Sequence, residues 1–140
     1  MLKYLLSSLI ILSISNSFSQ NFKEKDSLAI IKVLETQRVA WNNNNINDFM
    51  QGYLKSDKLV FSGSNGPVYG WNLVKDRYNR TYSSKELMGF LKFDINDLLL
   101  IKRKVAIILG KFNIERKKEK LSGYFTLIFK KINGNWYIVS

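Results

Sequence analysis

Between Lys23 and about Asn43 the apolar positions fall at Ile30, Val33, Leu34, Ala40 and Trp41, with Gln37 completing the stripe. Steps of three and four residues place them on one face of an amphipathic helix. The asparagine run in WNNNNINDFM then interrupts the pattern. Asparagine is weak inside helices, tolerates the left-handed conformation that closes one, and caps the start of another. A short second helix is therefore expected over Ile46 to Tyr53, capped by Asn45, with Phe49 and Met50 packed inward.

The period changes at DKLVFSGSNGPVYGW, where Leu59, Phe61 and Gly63 alternate with Val60 and Ser62 as in a strand. SNGP is a turn signal, and Val68 to Gly70 follows as a short strand or bridge. Helical spacing returns through Trp71, Val74, Tyr78 and Thr81 or Tyr82, predicting a third helix with Arg77 beside its apolar stripe. Beyond it MGFLKFDI, DLLLIKRKVAIILGKFNIER, KLSGYFTLIFKKI and NWYIVS alternate with period two, which predicts four or more antiparallel strands joined by ERKKEK and the turn NGN. Ala106, Ile108, Gly110, Phe112 and Ile114 share one strand face; Phe125, Leu127 and Phe129 share another. Helices first and a meander afterwards define an α+β fold. The helices should cover one face of a curved sheet and leave the other for solvent or a dimer partner.

Residues 1–19, MLKYLLSSLIILSISNSFS, read as a secretory signal peptide: a lysine, a short apolar run, and small residues at Ser17 and Ser19. The run is shorter than the roughly 20 apolar residues of a membrane span, so no stable membrane insertion is expected after cleavage. Residues 20–140 then form a single domain, exported to the periplasm or the extracellular space. The chain has no cysteine and no histidine. Disulfides, thiol and Ser-His-Asp nucleophiles, and His-based metal sites are thereby excluded, and no cofactor or metal is expected. Any catalysis must use Asp, Glu, Tyr, Lys or Arg.

The net charge of +11 becomes +10 without Lys3, with 21 basic against 11 acidic residues. Eight basic and two acidic residues lie between Lys102 and Lys120. They alternate with apolar positions or cluster in ERKKEK, which describes a solvated strand face and a charged turn. No nucleic-acid reader motif accompanies them, so nucleic acid is not an expected partner; an acidic protein or envelope surface is the competing use of that face.

The segments VAWNNNNINDFMQGY, LVFSGSNGPVYGW, RYNRTY, MGFLKF, VAIILGKF, GYFTLIFKK and NGNWYIV, in that order, resemble the nuclear transport factor 2-like superfamily. The nearest resemblance is to its small exported SnoaL-like and ketosteroid-isomerase-like bacterial domains, over about Asp26 to Val139. It implies a cone: a long N-terminal helix and two shorter ones packed on a strongly curved, mostly antiparallel sheet that encloses a pocket. Members differ in function, so fold alone assigns none. In such relatives a Gly-Asp commonly stands where this chain has Asn44-Asn45, and an Asp-His-containing tail commonly follows the last strand. The first keeps the cap and loses the negative charge; the second implies either that the sequence is truncated after Ser140 or that this chemistry is absent.

Aromatic residues on inward faces give the candidate ligand pocket: Trp41, Tyr53, Phe61, Trp71, Tyr78, Tyr82 and Phe93, with Gln37 and Arg77 as polar members. The same residues equally describe a core, and Gln37 either bonds to backbone or faces a cavity. An isomerase-type enzyme would need a carboxylate base and a donor aimed at a developing oxyanion, with Tyr78 or Tyr82 as that donor. Asp94 should point away from the face of Leu91 and Phe93, and Asp76 and Glu35 lie on polar helix faces, so no catalytic pair emerges. The expected function is binding of a small apolar or amphipathic ligand by a homodimer joined through the outer sheet face. An isomerase or lyase, or a protein-interaction module, is the alternative.

Overall fold

A computed structural model describes residues 23–140; the expected leader lies outside the described residues. Helix α1 occupies residues 23–42 of the described chain and buries Ile30, Leu34, Gln37, Ala40 and Trp41, the stripe read from the spacing. Its end is built by the asparagines. Asn44 adopts φ 58°, its N–H bonds Trp41 O at 2.8 Å, and the Asn45 N–H bonds Ala40 O at 2.9 Å. Those two bonds around a left-handed residue form a Schellman closure. Asn45 at once caps α2 (Ile46–Phe49), its side chain accepting from the Asp48 N–H at 3.0 Å.

The second helix is shorter than expected. After Phe49 the chain tightens into a 3₁₀ turn at Met50–Gly52, and Tyr53 is already extended. Tyr53 bridges Ile138 in parallel, and the Leu54 N–H bonds Ile138 O at 2.8 Å, so pairing with the sheet edge ends the helix. Strands β1 (Val60–Gly63) and β2 (Gly66–Tyr69) form a small hairpin, and α3 (Trp71–Thr81) follows with Trp71, Val74 and Tyr78 buried. Sequence reading missed α4 (Lys85–Met88), a single turn capped by the Ser84 hydroxyl, which buries only Met88 and so carries no readable period.

The main sheet is an antiparallel meander in the order β3 (Phe90–Lys102), β4 (Val105–Glu115), β5 (Lys120–Ile132), β6 (Asn135–Ile138). DLLLIKRKVAIILGKFNIER is not one strand: DLLLI instead continues MGFLKFDI within β3, across a bulge between Ile95 and Asp97. The extra residue shifts the alternation, so Leu91 and Phe93 before it and Leu98 and Leu100 after it all face inward. The first hairpin therefore turns at Arg103–Lys104. The last turns at Asn133 and Gly134, with φ 49° and 82°, the left-handed pair a two-residue hairpin requires.

Helices and the small hairpin pack on one face of this sheet. Ile30, Met50, Leu59, Val74, Ile108, Phe129 and Ile138 are fully buried between the layers. Each such side chain is worth about 1.5–3 kcal/mol relative to exposure. Among the described residues no helix is long and apolar enough to cross a membrane.

Candidate functional site

Where α1, α2, α3 and the β1–β2 hairpin meet, six aromatic rings converge. Tyr78 lies 5.1 Å from Phe49, 5.7 Å from Phe61, 5.9 Å from Tyr82 and 6.2 Å from Trp41, centroid to centroid. Most of these contacts are edge-to-face, the geometry that ring quadrupoles favour. Trp41 is fixed by its indole N–H on Met88 O at 3.0 Å. The helical step from Val74 to Tyr78 to Tyr82 aims both tyrosines at this point, and Tyr53 reaches it because the chain turns extended there.

The polar centre of the cluster is a pair of tyrosine hydroxyls, Tyr53 and Tyr78, 3.0 Å apart and both buried. Burial pushes Tyr53 up to about 12, against the opposing pull of Tyr78's hydrogen bond and the Arg77 charge. Burial likewise holds Tyr78 well above the ordinary phenol range, reinforced by Tyr53. Both are therefore neutral at physiological pH. Arg77 lies with its guanidinium 4.4 Å from the Phe61 ring centroid and acts electrostatically on both hydroxyls. None of the groups acting on the pair is a carboxylate.

The remaining expected site residues lie apart from this cluster. Trp71 is buried with its indole N–H on Met50 O at 3.0 Å. Gln37 is buried and donates to Phe49 O at 2.9 Å, and it also lines a surface cleft between α1 and β6. Phe93 is half-buried on the inner sheet face, 5.7 Å from Phe125. Its neighbourhood is shaped by two crossed pairs, Gly110 opposite Phe125 and Phe112 opposite Gly123. A Cβ on Gly110 would stand 2.6 Å from Phe125, and one on Gly123 2.7 Å from Phe112, so each ring lies over its partner glycine.

The carboxylates weighed as bases face outward. Asp94 is exposed and accepts from Asn113 Nδ2 at 2.7 Å, Glu35 is exposed and paired with Arg38, and Asp76 is exposed on α3. The one buried carboxylate among the described residues, Asp26, is bound by Lys131 at 2.6 Å and by the Trp136 indole at 3.0 Å.

Clefts open on the surface of the described residues. One of about 650 Å³ lies between the α1–α2 corner, the end of α3 and the start of α4, with Asn43, Asn47, Asn79, Tyr82, Ser83 and Lys85 on its walls. Asn79, Ser83 and Lys85 were not singled out as site residues in the sequence. Another, about 380 Å³, runs between α1 and β6 past Lys32, Thr36, Gln51 and Tyr137. Only Tyr82 and Gln37 of the expected site residues line either of them.

A long helix and shorter ones packed on one face of a curved antiparallel sheet define the cone-shaped α+β class to which nuclear transport factor 2 gives its name. An NTF-2 like protein of unknown function from Shewanella oneidensis MR-1 superposes with a TM-score of 0.79 at 30% identity, over 81% of this chain and 94% of that one. The chain therefore belongs to the nuclear transport factor 2-like superfamily. A ketosteroid isomerase-like protein from Erwinia carotovora atroseptica SCRI1043 has a TM-score of 0.61 at 12% identity, over 80% and 89% of the two chains. An NTF2-like protein of unknown function from Pseudomonas putida KT2440 has a TM-score of 0.60 at 13% identity, over 79% of each. Those last two share the fold. No family model matches the chain, and no curated protein does.

Proposed function

We propose that this chain is an exported binding domain for a small amphipathic molecule, taken on the concave side of the sheet. The observation that carries the reading is apolar surface left half-covered on a face that elsewhere is core. Phe93, Phe112, Phe125 and Leu127 on the sheet, and Phe61 on the hairpin, are only partly buried, whereas Leu91, Ile108 and Phe129 are fully so. Covering such surface is worth about 25 cal/mol per Å². The polar end of the ligand belongs at Arg77 and the hydroxyl pair. Two hydroxyls bonded to each other leave one O–H to donate outward, and the guanidinium adds further donors, so the set favours an acceptor such as a carbonyl or carboxylate. A binding role is preferred to general-base catalysis because the candidate carboxylates face solvent.

Thermal shift against fatty acids, steroids and aromatic acids tests the reading. A ligand at 100 times its Kd should add about 2.7 kcal/mol of stability. Phe61→Ala should weaken the response to every ligand, and Arg77→Ala most for those with an acidic head. Absence of stabilisation by the whole panel would overturn it.

The outer sheet face supports a homodimer. Leu99, Ile107 and Ile128 stand in one cross-strand row there, with Leu99 47% and Ile128 37% exposed. Light scattering on Leu99→Lys should report a loss of dimer; an unchanged mass, or a monomeric parent, would remove this proposal. Export rests on the leader alone, and sequencing the amino terminus of the protein recovered from a bacterial host tests cleavage.

A further inference from the structure

The larger cleft raises a question that the aromatic cluster does not answer: why so many asparagines line it. Three of the run have structural duties. Asn42 holds β3, Asn44 closes α1, and Asn45 caps α2. Asn43, Asn47 and Asn79 have none of these: they and Ser83 are exposed, and among the described residues their side chains make no hydrogen bond to the protein.

One position is also unfavourable: Asn79 lies within α3, where asparagine competes with the backbone and lowers helix stability, whereas Asn47 stands in the first turn of the four-residue α2. Brought together from three elements, these amides and Ser83 line one cleft, with Tyr82, Ile46 and Met88 supplying apolar wall.

We infer that this cleft is a binding site for a neutral polyhydroxylated ligand, a saccharide. Each primary amide both donates and accepts, matching neighbouring hydroxyls that do the same. Apolar wall suits the C–H faces of a sugar ring. Charge argues against ionic ligands: Lys85 is the one cationic side chain on the lining, and no carboxylate is among it. The volume falls within the range of about 300–1,000 Å³ typical of small-molecule sites. Tyr82 also stacks on Tyr78, so the cleft abuts the aromatic cluster while presenting different chemistry.

The experiment is a titration of the folded protein with maltose, cellobiose and N,N′-diacetylchitobiose, followed by the side-chain amide NMR signals of Asn43, Asn47 and Asn79. At least one disaccharide should shift these signals at concentrations on the order of 10 mM, a millimolar affinity. Asn47→Ala and Asn79→Ala should each weaken binding about fivefold or more, as expected for a lost hydrogen bond. Because both side chains are exposed and bond to no other described residue, both variants should melt close to the parent temperature, which separates lost binding from lost fold. No shift with any of the three sugars overturns the inference. So do shifts centred on Tyr53 and Tyr78, or an equal response to inorganic phosphate or to trialanine.

Discussion

Asn42 grips Leu91 through both atoms of its amide: Oδ1 accepts from the Leu91 N–H at 2.7 Å and Nδ2 donates to Leu91 O at 3.0 Å. The side chain thus completes the outer ladder of edge strand β3 at its start and ties it to the end of α1. Asn42→Ala removes both bonds and leaves two backbone groups of a buried residue without protein partners. The expected loss is about 2–3 kcal/mol, read from chemical denaturation. Asn42→Asp keeps the acceptor and loses the donor, so it should fall between parent and alanine. An alanine variant as stable as the parent would show that water replaces the grip at no cost.

The Tyr53–Tyr78 pair predicts a pH dependence at the alkaline end. Tyr53 is held near 12 in the folded chain, and Tyr78 also lies well above the ordinary value of 10. The folded state therefore retains protons that the unfolded state releases above pH 10, and stability falls as pH rises from 10 through 12. Below pH 10 this contribution is fully present. Ultraviolet titration should show two phenols that stay protonated above pH 10 in the folded protein, with Tyr53→Phe removing one. Each single Phe variant strands one buried hydroxyl and should cost about 1–3 kcal/mol. The double variant strands none, so its loss should be smaller than the sum; strict additivity would argue against the pair.

The order of helices and meander was legible because period 3.6 and period 2 are local properties, and the α1 stripe from Ile30 to Trp41 survives with Val33 half-buried at its edge. What escaped has a physical reason. The bulge at Ile95–Asp97 inserts one residue and inverts the alternation, so DLLLI reads as part of the next strand and not as the continuation of MGFLKFDI. Helix α4 buries a single side chain and therefore has no period to read. Convergence of Trp41, Tyr53, Phe61, Tyr78 and Tyr82 matches residues read from inward faces, but the pairing of Tyr53 with Tyr78 across 25 positions depends on the tertiary fold. Phe93 has the same composition signal and lies instead with Phe125, because only register decides which aromatic rings meet.

Asp26 joins the start of α1 to the last hairpin. Its Oδ1 accepts from Lys131 Nζ at 2.6 Å and from Trp136 Nε1 at 3.0 Å, with only 6% of the Asp26 side chain exposed. Asp26→Ala should cost about 3 kcal/mol, since it leaves a partly buried ammonium and an indole N–H without this acceptor. Asp26→Asn offers the indole an acceptor oxygen and should cost less. Replacing all three, as Asp26→Leu/Lys131→Met/Trp136→Phe, should recover much of the loss, because apolar packing can substitute for a buried ion pair. Failure to recover would point to a packing role for the indole that phenylalanine cannot fill.

Gly52 and Gln37 share one small space. A Cβ on Gly52 would lie 2.6 Å from both the amide carbon and Nε2 of Gln37, whose Nε2 is held on Phe49 O at 2.9 Å. Gly52 does not occupy the left-handed region, so its backbone accepts alanine and any penalty comes from the clash. Gly52→Ala should force the amide off Phe49 O and cost about 1–3 kcal/mol. Gln37→Ala also costs stability, because it leaves the Phe49 carbonyl without this partner and opens a void. Combined, the new methyl group occupies part of the space the amide has left, so the double variant should be more stable than the sum of the two by about 1 kcal/mol. Denaturation of the four proteins in this cycle measures that coupling directly. A coupling near zero would mean that the 3₁₀ turn shifts to relieve the clash, and that Gln37 does not set the close approach of α1 to the Met50–Gly52 turn.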